Sequence, residues 1–143
     1  MDVRNAVKED YEELIAIWEH AVRQSHAFLQ ESDLLEIKSN LPTYFTYVDL
    51  LVWSVDGKII GFSGTKEKQL EMLFLSPTVF RKGYGRMILE ELIHHKTIFF
   101  VDVNEQNEGA IAFYKTLGFH PISRDAIDSQ GKPYPILHLS LIE

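Results

Sequence analysis

The hydrophobic positions of this chain change their period several times, and each change marks an element. Asp2 to Ala6 alternates like a short strand. Leu14, Ile17, Trp18, Ala21 and Val22 then recur at helical spacing, preceded by Glu9 and Asp10 where the helix dipole favours acids. Ser32 is the expected N-cap of a second helix running from Asp33 to about Leu41 and ended by Pro42. Val48 to Val55 and Lys58 to Thr65 are β-rich runs joined at Asp56-Gly57, a hairpin signal, and Gln69 to Leu75 continues the meander. Tyr84 to His95 reads as a helix, Ile98 to Val103 as a buried strand, and Gly109 to Leu117 as a helix closed by Gly118. Phe119 to Ser123 and Ile136 to Ile142 are closing strands around a turn at Ser129-Gln130-Gly131. The order β α α β β β α β α β β predicts an α+β fold. Its mixed, mostly antiparallel central sheet is flanked by helices and contains one parallel strand–helix–strand crossover.

Composition narrows the class. With 143 residues, 45% of them hydrophobic and 24% charged, the chain is expected to form one globular domain, 1–143, with one sizeable core. No apolar run approaches the ~18 residues of a membrane span, and Met1-Asp2-Val3-Arg4 opens no signal-like segment, so a cytoplasmic location is expected. With no cysteine there is no disulfide, no thiolate metal site and no cysteine nucleophile; no metal is expected. The net charge of −7 disfavours nucleic acid as a partner and leaves room for a cationic substrate.

Chemistry concentrates in two segments. In Leu75-Ser-Pro-Thr-Val-Phe-Arg-Lys-Gly-Tyr-Gly-Arg86 an apolar strand runs into a short basic, glycine-bearing loop and then a helix. Free N–H groups at a helix start, with no Cβ at Gly83 or Gly85 to block approach, form an anion site to which Arg81, Lys82 and Arg86 add charge. A phosphate-bearing ligand is therefore expected there. In the second segment, Val103 to Phe119, Asn104 and Asn107 stand where a strand ends and a helix begins, placed to cap it or to hold an amide-rich ligand. Phe113 and Tyr114 follow as neighbours about 100° apart on that helix, so one can pack while the other faces a cleft.

Taken together, Arg81-Lys-Gly-Tyr-Gly-Arg86 and Asn104-x-x-Asn107-x-x-Ala110-x-x-Phe113-Tyr114-x-x-x-Gly118-Phe119 resemble the GNAT superfamily of acyl-CoA-dependent N-acetyltransferases, over nearly the whole chain. One departure is Phe80-Arg81, where the family usually has Gln or Arg followed by Gly. The resemblance implies acetyl-CoA as co-substrate, its pyrophosphate on the amides of Lys82, Gly83, Tyr84, Gly85 and Arg86, with Arg81 beside them. It implies a pantetheine arm along Leu73, Phe74 and Leu75, with Asn107 and Tyr114 also at the cofactor. A primary amine of a small molecule or peptide would attack the thioester directly, with a strand N–H near Leu73 polarising the carbonyl. Glu71, on the cofactor-binding strand and sharing Leu73's face by alternation, is the candidate base, and Asp49 its rival. Tyr114 is the candidate acid for the leaving thiolate. The connection between the first two helices would wall the acceptor pocket, which brings in His26 and Phe28.

Other residues have structural expectations. His94 and His95 suit a helix C-terminus, Trp18 suits the core, and Trp53 suits the core or the pocket floor. His138 is expected to pack on the last strand with Ile136 and Ser140 on its face. Two further functions fit the residues: a catalytically silent acyl-CoA-binding or sensing module, and an unrelated nucleotide-binding domain. The latter would lack both the P-loop pattern and the three-glycine dinucleotide fingerprint. Homodimerisation, frequent among GNAT proteins, is open.

Overall fold

A computed structural model describes residues 1–142. Its strands are β1 (Asp2–Asn5), β2 (Asp49–Val55), β3 (Lys58–Lys66), β4 (Gln69–Leu75), β5 (Phe100–Asn104), β6 (His120–Asp125) and β7 (Ile136–Ser140). The helices are α1 (Tyr11–Ser25), α2 (Glu31–Phe45), α3 (Tyr84–Lys96) and α4 (Glu108–Thr116), with short 3-10 turns at Lys8–Asp10 and Pro77–Val79. The strands form one sheet in the order β1-β2-β3-β4-β5-β7-β6. Every neighbouring pair is antiparallel except β4 and β5, which the α3 crossover joins in parallel. That is the predicted element order and fold class.

Two cores cover the two faces of the sheet. The predicted α1 stripe of Leu14, Ile17, Trp18 and Val22 packs with Leu34, Leu41 and Phe45 of α2 onto Leu50, Val52, Phe62 and Met72. On the other face Ile88, Leu89 and Leu92 of α3 pack onto Leu51, Trp53, Leu70, Val101, Val103 and Leu139, with Phe113 and Tyr114 of α4 alongside. Trp53 is thus a core residue, and its indole N–H donates to Ser63 Oγ at 2.9 Å.

The hairpin at Asp56-Gly57 has both residues at positive φ, 52° and 77°, as a tight two-residue hairpin turn requires. The second helix departs from expectation: its N-cap is Gln30, and it runs through Pro42 to Phe45. An interior proline costs about 3 kcal/mol. Continuing the helix keeps Leu41 and Phe45 in the core, and burying two such side chains contributes about 1.5–3 kcal/mol each. Burial therefore wins over the local breaker.

The meander also contains a feature that alternation does not show. Gly64 pairs with Met72 and Thr65 with Leu70, which leaves Glu71 without a partner on β3. This is a β-bulge, an extra residue that bends the strand. It falls where the sheet opens, because β4–β5 pairing comprises only Gln69↔Phe100 and Leu70↔Val101, while β5 turns to pair with β7 along its whole length. The β5-facing edge of β4 from Glu71 to Leu75 is left as free backbone.

Candidate active site

The opening between β4 and β5 holds a cavity of about 700 Å³. Its lining comes from both faces of the sheet. Ala21, Ser25 and His26 contribute from the end of α1, and Leu73, Phe74 and Leu75 from β4. Val79 to Arg81, Gly83 and the first residues of α3 form a second wall, and Asn107, Ala110, Phe113 and Tyr114 of the α4 segment a third. Leu73 and Leu75 belong with the α3/α4 core whereas Phe74 belongs with the α1/α2 core. The cavity therefore passes through the sheet at the splay rather than sitting on one side of it.

At the α3 end the backbone makes an anion cradle. Gly83 is the N-cap, in left-handed conformation at φ 82°, and its carbonyl accepts the first helical bond from Met87 N. The N–H groups of Tyr84, Gly85 and Arg86 consequently have no partner within the helix. A Cβ at Gly83 would meet nothing within 4 Å, and one at Gly85 would touch Leu75 and Phe113 at 3.5 Å. Arg81 and Arg86 line the same end, Arg86 also bonding Glu90 at 2.9 Å. Lys82 lies apart, on a smaller recess with Lys58, Ile60 and Thr78.

At the opposite end a hydrogen-bond chain fixes His26. Asn107 Oδ1 accepts from Ala110 N at 3.2 Å, capping α4 as predicted, so its Nδ2 is the atom facing His26 Nε2 at 3.4 Å. Ser25 Oγ donates to the Ala21 carbonyl at 2.9 Å and lies 2.7 Å from His26 Nδ1. Burial lowers the imidazole pKa from its ordinary value, which favours the neutral ring. Phe28 stands behind it outside the cavity lining, 5.2 Å from the His26 ring and 6.2 Å from Tyr134. Tyr134, from the β6–β7 loop, donates to Asp33 and accepts from Gln30 N at 3.2 Å, tying that loop to the α1–α2 connection.

Tyr114 lines the cavity, its ring 5.2 Å from Phe113 and 5.7 Å from Phe119. Burial pushes its hydroxyl up to about 12, so it stays protonated at neutral pH. Glu71 does not line the cavity, and the expectation that it shares Leu73's face is corrected. The bulge breaks alternation: Leu70, Leu73 and Leu75 pack on the α3/α4 side and Met72 and Phe74 on the other. Asp102, between the buried Val101 and Val103, points away from that α3/α4 core, and Glu71 stands close enough to feel its charge. Partial burial, then Asp102, raise the Glu71 pKa. Asp49 does not line the cavity and is paired with Lys96 at 2.5 Å.

His138 shares the Glu71 side of the sheet, with Nδ1 2.6 Å from Asp102 and Nε2 2.7 Å from Asp125. The Asp125 hydrogen bond, chiefly, raises its pKa in the fold. Its contribution to stability is therefore complete below about 6.5, the unfolded value, and is lost as pH rises through the higher folded value. The melting temperature of the wild type should fall between pH 6 and 8.5 by more than that of His138→Gln, as read by calorimetry. Parallel curves would show that the imidazolium stabilises nothing. His94 and His95 close α3 as expected, and His95 bonds Glu91 at 3.1 Å.

An acetyltransferase (GNAT) family model matches residues 5–119. The chain belongs to the GNAT family. It is an acetyl-CoA-dependent N-acetyltransferase. It is 33% identical over 140 residues to the peptidyl-lysine N-acetyltransferase YjaB of Salmonella typhimurium, covering 97% of each chain. Against YjaB of Escherichia coli it is 32% identical over 143 residues, covering 99% and 97%. The solution structure of apo YjaB from Escherichia coli matches with a TM-score of 0.91 over 99% of this chain and 97% of that one, at 32% identity. The PaiA N-acetyltransferase of Thermoplasma acidophilum, solved with coenzyme A, shares the fold at a TM-score of 0.69 and 22% identity, over 96% of each chain. The GNAT co-substrate needs an anion cradle and an open strand edge, and the free amides at Tyr84 to Arg86 and the unpaired edge of β4 fit it. Among the described residues no helix is long and apolar enough to cross a membrane.

The loop and Asn107 are legible from residue chemistry as a phosphate-and-amide site, and the strand edge and Tyr114 follow from the family resemblance. Ala21, Ser25 and Val79 line the cavity although no motif in the sequence places them there. Ala21 and Ser25 are one helical turn apart on α1 and lead directly to His26, the one available signal.

Proposed function

We propose that this chain transfers the acetyl group of acetyl-CoA to the ε-amine of a lysine in a peptide or protein, by direct attack within a ternary complex. The observation that carries this reading is the cavity through the sheet. Its anion cradle lies at the α3 end and its neutral, partly aromatic wall at the α1 end, so two reactants can enter from opposite faces and meet at the splay. The full-length similarity to two peptidyl-lysine N-acetyltransferases supports lysine as the acceptor. The net charge of −7 suits a cationic one.

Each residue then has a task. The amides of Tyr84, Gly85 and Arg86, with the Arg81 and Arg86 side chains, hold the pyrophosphate. The free edge of β4 at Leu73 to Leu75 bonds the amides of the pantetheine arm. An N–H near Leu73 polarises the thioester carbonyl, a contribution of about 3 kcal/mol. Tyr114 delivers a proton to the departing thiolate. Glu71, displaced from the cavity by the bulge, has no proton-transfer task here. Holding two reactants in line supplies much of the remaining acceleration.

The test is mass spectrometry of a peptide set incubated with acetyl-CoA, in which lysine peptides are matched by arginine versions and small polyamines are included. Acetylation of the lysine side chain and not of the arginine versions is the expected result. Modification of polyamines alone would overturn the peptide reading.

A further inference from the structure

The cavity has no carboxylate in its lining. Of the side chains there, Arg81 and Arg86 have only N–H donors to offer, and burial pushes the Tyr114 hydroxyl up to about 12. His26 alone can accept a proton near pH 7. The chain that holds it also decides which nitrogen is free. Ala110 N must bond to Asn107 Oδ1, since a backbone N–H only donates, so Asn107 presents Nδ2, also a donor, to His26 Nε2. The Ser25 hydroxyl hydrogen is committed to the Ala21 carbonyl, which leaves Ser25 Oγ to accept from Nδ1–H. Nε2 is thus the lone-pair nitrogen, and its 3.4 Å contact with Asn107 sits at the long, weak end of hydrogen bonding.

We propose that His26 is the base that takes the proton from the acceptor amine, with Ser25 and Asn107 as positioning residues that fix its tautomer and aim. This rests on the reading above, that an alkyl amine is the acceptor. A lysine ammonium has a pKa of about 10.4 and arrives protonated. Its first proton goes to His26 Nε2, in place of the weak Asn107 contact. The freed nitrogen lone pair forms the N–C bond at the thioester carbonyl, and the C–S bond breaks with its electron pair going to sulfur. The nitrogen's second proton passes to the Tyr114 oxygen as the Tyr114 hydroxyl proton passes to the thiolate. The products are the amide, a thiol and His26 imidazolium, which returns its proton to solvent. Ionised groups facing His26 across the cavity are the two arginines from the α3 end; its own helix and α4 contribute Ser25, Asn107 and Tyr114.

The experiment is the pH profile of kcat/KM for a lysine peptide that the wild type acetylates, with wild type, His26→Gln and Glu71→Gln compared. Calorimetric titration with acetyl-CoA establishes that each variant is folded and loaded. Wild type should show an ascending limb whose midpoint lies below 6.5, the direction in which burial moves this imidazole. In His26→Gln that limb should vanish, kcat/KM should drop by roughly 100-fold or more, and the rate should climb with pH toward the amine's own pKa. Added imidazole should restore part of the rate to His26→Ala. Glu71→Gln should keep the limb. A His26→Gln enzyme that retains it would overturn His26 as the base while leaving lysine transfer intact. A wild type that binds acetyl-CoA yet modifies no lysine peptide would overturn both readings together.

Discussion

Replacing Tyr114 with Phe should lower kcat by roughly 100-fold or more and leave acetyl-CoA affinity within about twofold, since a shared hydroxyl is lost but no packing. The ring makes its contacts edge-on with Phe119 and tilted against Phe113, and both survive the substitution. The size of the expected effect follows from the acid–base mismatch. A hydroxyl pushed up to about 12 holds its proton firmly. A thiolate with a pKa near 8.5 cannot pull that proton away without a cost of about 5 kcal/mol. The transfer becomes favourable only if the tyrosine oxygen is resupplied at once by the nitrogen that has just attacked. Tyr114 therefore acts as a relay between nitrogen and sulfur, and its removal leaves the thiolate to be protonated by stray water in a half-buried cleft. Steady-state thiol release together with calorimetric titration separates the two effects. Native turnover in Tyr114→Phe would remove it from the mechanism, and a matched loss of binding would make it a packing residue.

The ease with which parts of this molecule are read from sequence follows from how local their causes are. The Asp56-Gly57 hairpin depends on two adjacent residues tolerating positive φ, and the α1 stripe on side chains one turn apart. Both are visible in the order of residues. Pro42 is misread because the force that overrides it is the burial of Phe45 against Phe62, a contact between distant segments. The Glu71 bulge is hidden for a different reason. Leu70, Met72, Leu73, Phe74 and Leu75 are all apolar, so a one-residue slip in facing leaves no trace in the pattern. The anion loop was legible because glycine, arginine and a helix start are contiguous. The His26–Asn107 contact was not, since it joins residues 81 apart through the closing of the sheet. Even so, each partner is flagged separately, Asn107 by its amide at a helix start and His26 by what the family resemblance implies for the α1–α2 connection. What tertiary structure adds is the pairing, and with it the tautomer on which the proposed base depends.

Gly83→Asp should abolish measurable acetyl-CoA binding without unfolding the protein. Two effects must be weighed. At φ 82° a side chain is strained, at a cost of about 1–2 kcal/mol, and aspartate is among the residues that tolerate this region best. The new Cβ meets nothing within 4 Å, so no clash adds to that cost. The second effect is electrostatic. A carboxylate at the N-cap would satisfy the free amides of Tyr84 to Arg86 itself and would face the pyrophosphate at short range. Two like charges about 4 Å apart repel by about 4 kcal/mol at the effective dielectric of a protein surface, which is nearly a thousandfold in affinity. Charge therefore outweighs strain. Gly83→Ala isolates the smaller effect and should bind acetyl-CoA within about tenfold of wild type, with a melting temperature a few degrees lower. Equal loss of binding in both variants would mean that the loop's conformation, and not its charge, governs the cradle. Native affinity in Gly83→Asp would place the phosphates somewhere other than the start of α3.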